Sequence, residues 1–237
     1  VDPGAVAAFV IEPVQGEAGF LPVPARFMQR LREIATESGA LLVADEVQSG
    51  LARTGQLWAA PQLGVVPDLL TTAKSLAAGM PLAAVVGRAD VMDAPHPGGL
   101  GGTNYGNPLA CVAALEALNI IADERFLARA RAVGARLRAG LEGIVAEQPH
   151  AGEVRGMGPM LAVEFVTDRH SKTPYPDLVL EITKQALARG LIVIRAGLHS
   201  NCIRLLPPLD LTDAEVDEGL RVLREAVAAA VAKVGAA

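Results

Sequence analysis

Two residues stand out for what their types and positions could do together. Asp45 follows the apolar run at residues 41–44 (LLVA), and Lys74 follows the run at 69–73 (LLTTA). Each run reads as a short strand buried on both faces. Polar groups at the C-terminal ends of neighbouring parallel strands converge on the crevice where open α/β sheets bind ligands. A carboxylate and an amine in such a crevice suggest covalent amine catalysis: the lysine forms a Schiff base with a carbonyl, and the aspartate holds a positive charge nearby. An Asp–Lys ion pair that merely closes two strands accounts for the same placement.

The flanking sequence supplies elements able to position this pair. Short apolar runs alternate with helical stretches through the first half, as in a largely parallel sheet covered by helices. Residues 5–11 form a continuous apolar run ending at Glu12-Pro13. Over 24–38, Phe27, Leu31 and Ile34 recur at spacings of four and three, and Gly39 is placed to end that crossover helix. Residues 82–86 add a further apolar run. The loop GGLGG (98–102) leads to Thr103, and a helix is predicted over about 108–121.

From Asp123 the sequence is helix-rich to about residue 146, and Gly152, Gly156 and Gly158 then read as a turn region. Strands are predicted at 160–166, 191–194 and 202–206, with a helix over about 178–189. Thr212 and Glu215, three apart, could each cap the other's backbone donor at the start of the last helix. Val216, Leu220, Leu223, Val227, Val231 and Val234 then lay one apolar stripe on a core. The fold class read from this order is α/β, with residues 1–122 as part of a large, mainly parallel-sheet domain and 123–237 as a small α+β domain.

Composition narrows the function classes. The 237 residues, 51% hydrophobic and 20% charged, argue against disorder and suffice for cores that need no disulfide or metal staple. With 26 acidic against 21 basic residues, there is no broad cationic surface to neutralise phosphates, so nucleic acid is not an expected partner. No uninterrupted apolar run reaches the roughly 18 to 20 residues of a bilayer-spanning helix, and no membrane association is expected. Cys111 and Cys202 form no CxxC, which fits a cytoplasmic setting. His96, His150, His170 and His199 are scattered in loop-like contexts that read as solvent-facing, and no metal is expected. The opening VDPGAVAAFVIEP does not read as a signal peptide and enters a strand almost at once, so the chain is expected to be part of a longer one.

Four segments in order, IEPVQGEAGF, LLVADEVQSGLARTG, PDLLTTAKSLAAGMPLAAVVG and GGLGGTNYGNPLACVAALEAL, closely resemble the class III aminotransferases, pyridoxal-phosphate enzymes of fold type I. The resemblance covers essentially the whole chain. The Asp-Glu-Val-Gln run, a lysine 29 positions after its aspartate, and Gly-Thr ahead of Gly-Asn-Pro seldom coincide by chance. EPVQGE and NCIRLLPPL make the chain look most like 4-aminobutyrate aminotransferases. The resemblance implies that nearly half of a family subunit, its N-terminal part, lies outside this chain, which alone is then expected to be inactive. It also implies pyridoxal 5'-phosphate as cofactor, an amino donor and a 2-oxo acid as substrates, and a homodimer or a dimer of dimers.

Carried over by residue, the resemblance makes Lys74 the cofactor-bearing lysine that later moves a proton, and Asp45 the partner of the pyridine nitrogen. Val47 would pack on the ring, Gln48 would reach its phenolic oxygen, and Thr103 would bind the phosphate of the neighbouring subunit. Glu17 would pair with Arg204 when an ω-amino substrate is bound and release it to hold the α-carboxylate of glutamate. Glu12 matches an acid near the substrate amine. Within the family, acetylornithine, ornithine, 5-aminovalerate and β-alanine transaminases stay open, as does a catalytically silent module that kept the fold. Ala18, where the family often has glycine, bears on the preferred substrate length.

Overall fold

The computed structural model describes residues 2–234. In chain order the first half runs β1 (Ala8–Ile11), β2 (Val14–Gln15), β3 (Leu21–Pro22), α1 (Ala25–Ser38), β4 (Leu41–Asp45), β5 (Leu69–Thr72), β6 (Ala84–Gly87), α2 (Ala89–Met92) and α3 (Pro108–Ile121). The second half runs α4 (Glu124–Glu147), β7 (Ala151–Met157), β8 (Met160–Phe165), α5 (Pro176–Ala188), β9 (Ile194–Ala196), β10 (Cys202–Leu205) and α6 (Asp213–Val234). The chain divides into two compact units, residues 2–14 with 23–127 and residues 15–22 with 128–234. None of the described helices is long and apolar enough to cross a membrane.

The first unit is built on a four-stranded sheet in the order β1-β4-β5-β6. β1 and β5 run parallel to β4, and β6 closes the sheet antiparallel to β5. The register sets Ile11 beside Ala44 and Asp45 beside Thr71, so Glu12, Asp45 and the segment leading to Lys74 leave the sheet at the same edge. Asp68, just before β5, braces this sheet. Its carboxylate accepts hydrogen bonds from the Leu42 amide at 2.8 Å, Arg32 at 2.5 Å and Arg88 at 2.9 Å.

Helix α1 forms where its spacing places it and ends at Gly39, whose φ of 74° is open to a residue without Cβ. The buried stripe differs from the expected one. Met28 and Ala35 are buried, while Phe27 is 54% and Ile34 37% exposed. Both stripes have helical spacing, and a rotation of about one residue, roughly 100°, separates them. Arg32, between Met28 and Ala35, is thereby turned toward Asp68.

The second unit carries an antiparallel sheet in the order β7-β8-β10-β9. Its core joins Leu137 and Ile144 of α4, Leu161 and Phe165 of β8, and Leu178 and Val227 of α5 and α6. The Thr212–Glu215 capping pair forms: the Thr212 amide donates to Glu215 Oε2 at 2.7 Å and the Glu215 amide to Thr212 Oγ1 at 3.3 Å.

Three expectations here are corrected. Gly152 and Gly156 lie in a full strand, β7, rather than in a turn, while Gly158 does fall in the turn that joins β7 to β8. The register against β8 slips between Ala151 and Glu153, and a Cβ on Gly156 would lie 1.9 Å from the Met160 carbonyl oxygen. Gly152 therefore marks a bulge and Gly156 a close backbone approach. The strand expected at 191–194 lies at β9, because Leu191 and Val193 pack on the core and pairing to β10 begins at Ile194. His150 is half-buried rather than fully solvent-facing: its Nδ1 lies 3.2 Å from the Val166 carbonyl oxygen, and its ring meets Tyr175 edge-on.

Candidate active site

The first cluster lies at the C-terminal edge of the parallel strands in the first unit. Asp45, half-buried at the end of β4, accepts hydrogen bonds on Oδ1 from Thr71 Oγ1 and from the Val47 amide, each at 3.1 Å. Both donors are neutral, and among the described residues no cation is paired with this carboxylate. Lys74 begins a short 3-10 helix, Lys74–Ala77, and is exposed. It forms no ion pair among the described residues, so the strand-closing Asp–Lys bridge is not made. Its φ is 51°, a left-handed conformation that costs a side chain on the order of 1 kcal/mol.

Val47, Thr71 and Thr72 line a cavity of about 780 Å3 together with Asn104 and Tyr105. Thr72 is buried, and its hydroxyl finds no hydrogen-bond partner. Thr103 is exposed on the loop that precedes α3, and the helix is capped by Asn107, whose side chain accepts from the Leu109 amide at 3.0 Å. Gln48 is half-buried on the turn after β4, and Glu12 is half-buried just beyond β1.

The turn that holds Val47 and Gln48 is anchored by a residue to which the sequence reading gave no role. Glu46 is 1% exposed; its Oε1 accepts from the Ala59 and Ala60 amides at 2.7 Å each, and its Oε2 from Ser49 Oγ at 2.6 Å. Burial pushes its carboxyl above the usual carboxylate range, against the pull of these hydrogen bonds. Thr71, which orients Asp45, was likewise missed. Only adjacency to Asp45 and Lys74 could have pointed to either residue.

The second cluster lies in the second unit. Arg204, on β10, donates to Glu17 Oε1 at 2.5 Å, and its guanidinium stands 5.9 Å from the centre of the Phe20 ring. The arginine side chain is 13% exposed and the glutamate 76%. A mostly buried guanidinium thus meets a carboxylate that reaches it from solvent. Arg204 Nε is buried without a hydrogen-bond partner, leaving donor capacity for a second carboxylate.

An open, mainly parallel sheet with an acid and a lysine at its strand ends fits the pyridoxal-phosphate-dependent transferases of fold type I. The comparisons with known proteins make this specific. Residues 1–227 match the family described as aminotransferase class-III, and the chain belongs to that family. It is 50% identical over 223 residues to the 4-aminobutyrate aminotransferase GabT of Escherichia coli (strain K12), covering 94% of this chain and 52% of that protein. It is 48% identical over 227 residues to the 5-aminovalerate aminotransferase DavT of Pseudomonas putida, covering 96% and 53%. Among solved structures, a transaminase from the marine bacterium Virgibacillus superposes with a TM-score of 0.93 at 30% identity, covering 98% of this chain and 55% of that one. The chain spans about half the length of the curated relatives it matches.

Class III aminotransferases are pyridoxal-phosphate enzymes, and the first cluster fits such a cofactor. Among the described residues Asp45 is a carboxylate paired with no cation, Lys74 an amine paired with no anion, and Thr72 a buried hydroxyl without a partner beside the cavity.

Proposed function

We propose that the protein to which this chain belongs transfers the amino group of an ω-amino acid, 4-aminobutyrate as the best single candidate, to 2-oxoglutarate, giving a semialdehyde and glutamate. The observation that carries this reading is the Glu17–Arg204 pair. A substrate whose single carboxylate is distant from its amine leaves the Arg204 guanidinium to be neutralised, and Glu17 does so. Glutamate brings its own second carboxylate, which displaces Glu17 from the guanidinium fork. One arginine then serves two substrates of different shape.

Pyridoxal 5'-phosphate, when bound, supplies an electron sink for the pair released at the substrate carbon. Lys74 is the residue that would hold it covalently, and its amine then carries the proton to and from that carbon. Asp45 would keep the ring nitrogen protonated, with Thr71 and the Val47 amide holding the carboxylate in place. Val47 would pack on the ring face, Gln48 would face the phenolic oxygen, and Glu12 would lie near the substrate amine. Thr103 would bind the phosphate of the neighbouring subunit, a hydroxyl beside glycine-loop amides suiting a dianion. The first unit is then the C-terminal part of the large cofactor-binding domain and the second the small domain.

That phosphate contact requires a homodimer, alone or paired as a dimer of dimers. The exposed side chains Leu109, Val112 and Leu115 on α3 support association between copies. The free thiols of Cys111 and Cys202 support a cytoplasmic setting. 5-Aminovalerate is the second donor to test, favoured by the likeness to DavT. Steady-state turnover of the full-length protein with pyridoxal phosphate, 2-oxoglutarate and each amine in turn decides the reading. Preference for 4-aminobutyrate is expected, and turnover of no ω-amine overturns it.

A further inference from the structure

We infer that Arg155 is a positioning residue for Glu17, holding the turn from which that carboxylate reaches Arg204 so that the side chain swings while its backbone stays in place. The inference rests on the exchange of Glu17 for a substrate carboxylate proposed above.

Arg155 lies on β7 with its side chain 12% exposed, and all three guanidinium nitrogens are engaged. Nε donates to the Gly19 carbonyl at 2.7 Å, and Nη2 to Cys202 Sγ at 2.9 Å. Nη1 meets Glu153 at 3.1 Å and Glu164 at 3.3 Å. The Gly197 amide donates to the Glu17 carbonyl at 3.1 Å, and the turn closes on itself from the Gly19 amide to the Gly16 carbonyl at 3.2 Å. The backbone is therefore pinned at Glu17 and again two residues later.

The turn packs closely on Arg155 and Cys202. A Cβ on Gly19 would lie 2.8 Å from Arg155 Nη2 and 3.0 Å from Cys202 Sγ, and Gly19 has a φ of 96°. Phe20, also left-handed at 56°, is fully buried, and the Arg204 guanidinium stands over its ring. Cys202 and Arg204 are two apart on β10 and so share a face. One strand supplies both the floor under the turn and the cation that Glu17 reaches. The Glu17 side chain, 76% exposed, extends from this pinned backbone to Arg204.

An exposed carboxylate gains little from an ion pair when it must order both its side chain and its backbone to form it. Pinning the backbone removes part of that cost, so Arg204 stays neutralised while an ω-amino acid is bound. Glutamate holds Arg204 directly and does not need Glu17 in place. Loss of Arg155 should therefore weaken one half-reaction and spare the other.

The test uses the full-length protein loaded with pyridoxal phosphate. Single-turnover kcat/KM is measured with 4-aminobutyrate and with glutamate for the wild type, Arg155→Met, Arg155→Lys and Glu17→Gln. Arg155→Met is expected to lower the ratio of the two values about tenfold, the loss of one charge-assisted hydrogen bond. Arg155→Lys should recover part of it, and Glu17→Gln should shift it in the same direction. Calorimetric binding of glutarate, a dicarboxylate that takes Arg204 for itself, should be no weaker in Arg155→Met. A fold-wide defect would instead lower both half-reactions together and weaken glutarate binding. If Arg155→Met does not fold, Arg155→Lys decides by the same ratio. An unchanged ratio in the Arg155 variants beside a shifted one in Glu17→Gln overturns the role of Arg155 alone. An unchanged ratio in Glu17→Gln overturns the carboxylate exchange itself, and this inference with it.

Discussion

Thr71 Oγ1 donates a hydrogen bond to Asp45 Oδ1 at 3.1 Å, from the position directly beside Asp45 in the parallel register of β4 and β5. Neighbouring parallel strands end at the same level here, so one strand presents the acid and the next orients it. A carboxylate held by two neutral donors keeps its charge available for a cationic partner while its direction is set.

Removing that hydroxyl should loosen the direction in which Asp45 is held. Thr71→Val is expected to lower kcat of the full-length enzyme about tenfold and to weaken cofactor retention, the scale of one hydrogen bond to a charged acceptor. Thr71→Ser should restore most of both. Dialysis against cofactor-free buffer, followed by absorbance, reads the second effect independently of turnover.

Lys74 forms no ion pair among the described residues and is held in a left-handed conformation just beyond β5. If its amine carries the cofactor and the proton, Lys74→Ala should lower turnover by about 10^4-fold, the upper end for a positioned proton carrier. Borohydride reduction of the loaded wild type, followed by peptide mass mapping, should place the label on Lys74. A label on another lysine rules out the assignment.

Much of the frame was legible because the relevant signals are local. Gly39 stops α1 through its own backbone freedom, and the Thr212–Glu215 pair caps α6 through bonds spanning three residues. Charges at strand ends marked the edge where Asp45 and Lys74 leave the sheet. What the sequence hid depends on partners far along the chain. The glycines of β7 look like turn residues until β8 is seen to pass against them, and the buried face of α1 is set by packing that its period alone leaves free by one step. Arg155, Thr71 and Glu46 belong to the clusters through hydrogen bonds to Gly19, Asp45 and Ala59, none of which leaves a spacing signature.

Glu46 offers a test through pH. Burial is the main force on its carboxyl and raises it, so the folded chain holds that proton more tightly than the unfolded chain does. Such a group favours folding at low pH, and its contribution fades as pH rises above the ordinary carboxyl range toward the folded value. Glu46→Gln keeps an acceptor for the Ala59 and Ala60 amides but has no proton to lose. Between about pH 5 and about pH 8 it should lose less stability to urea than the wild type. Glu46→Ala, which leaves two buried amides without an acceptor, should cost about 3 kcal/mol at about pH 5 and less at about pH 8, where the wild type has itself lost stability.

Asp68 should behave in the opposite sense. Burial alone would raise its carboxyl, but hydrogen bonds from Arg32, the Leu42 amide and Arg88 outweigh burial and bring it from 3.8 down to about 2. That difference is worth about 2 kcal/mol of folding stability, present above the unfolded value and lost as pH falls toward the folded one. Asp68→Asn is therefore expected to lower stability by about 2 kcal/mol at neutral pH, with the gap to the wild type closing as pH falls from about 4 to about 2. Urea unfolding at a series of pH values measures the gap. A gap that stays constant with pH would mean that lost packing around the Leu42 amide, rather than the charge bound by Arg32 and Arg88, sets the effect.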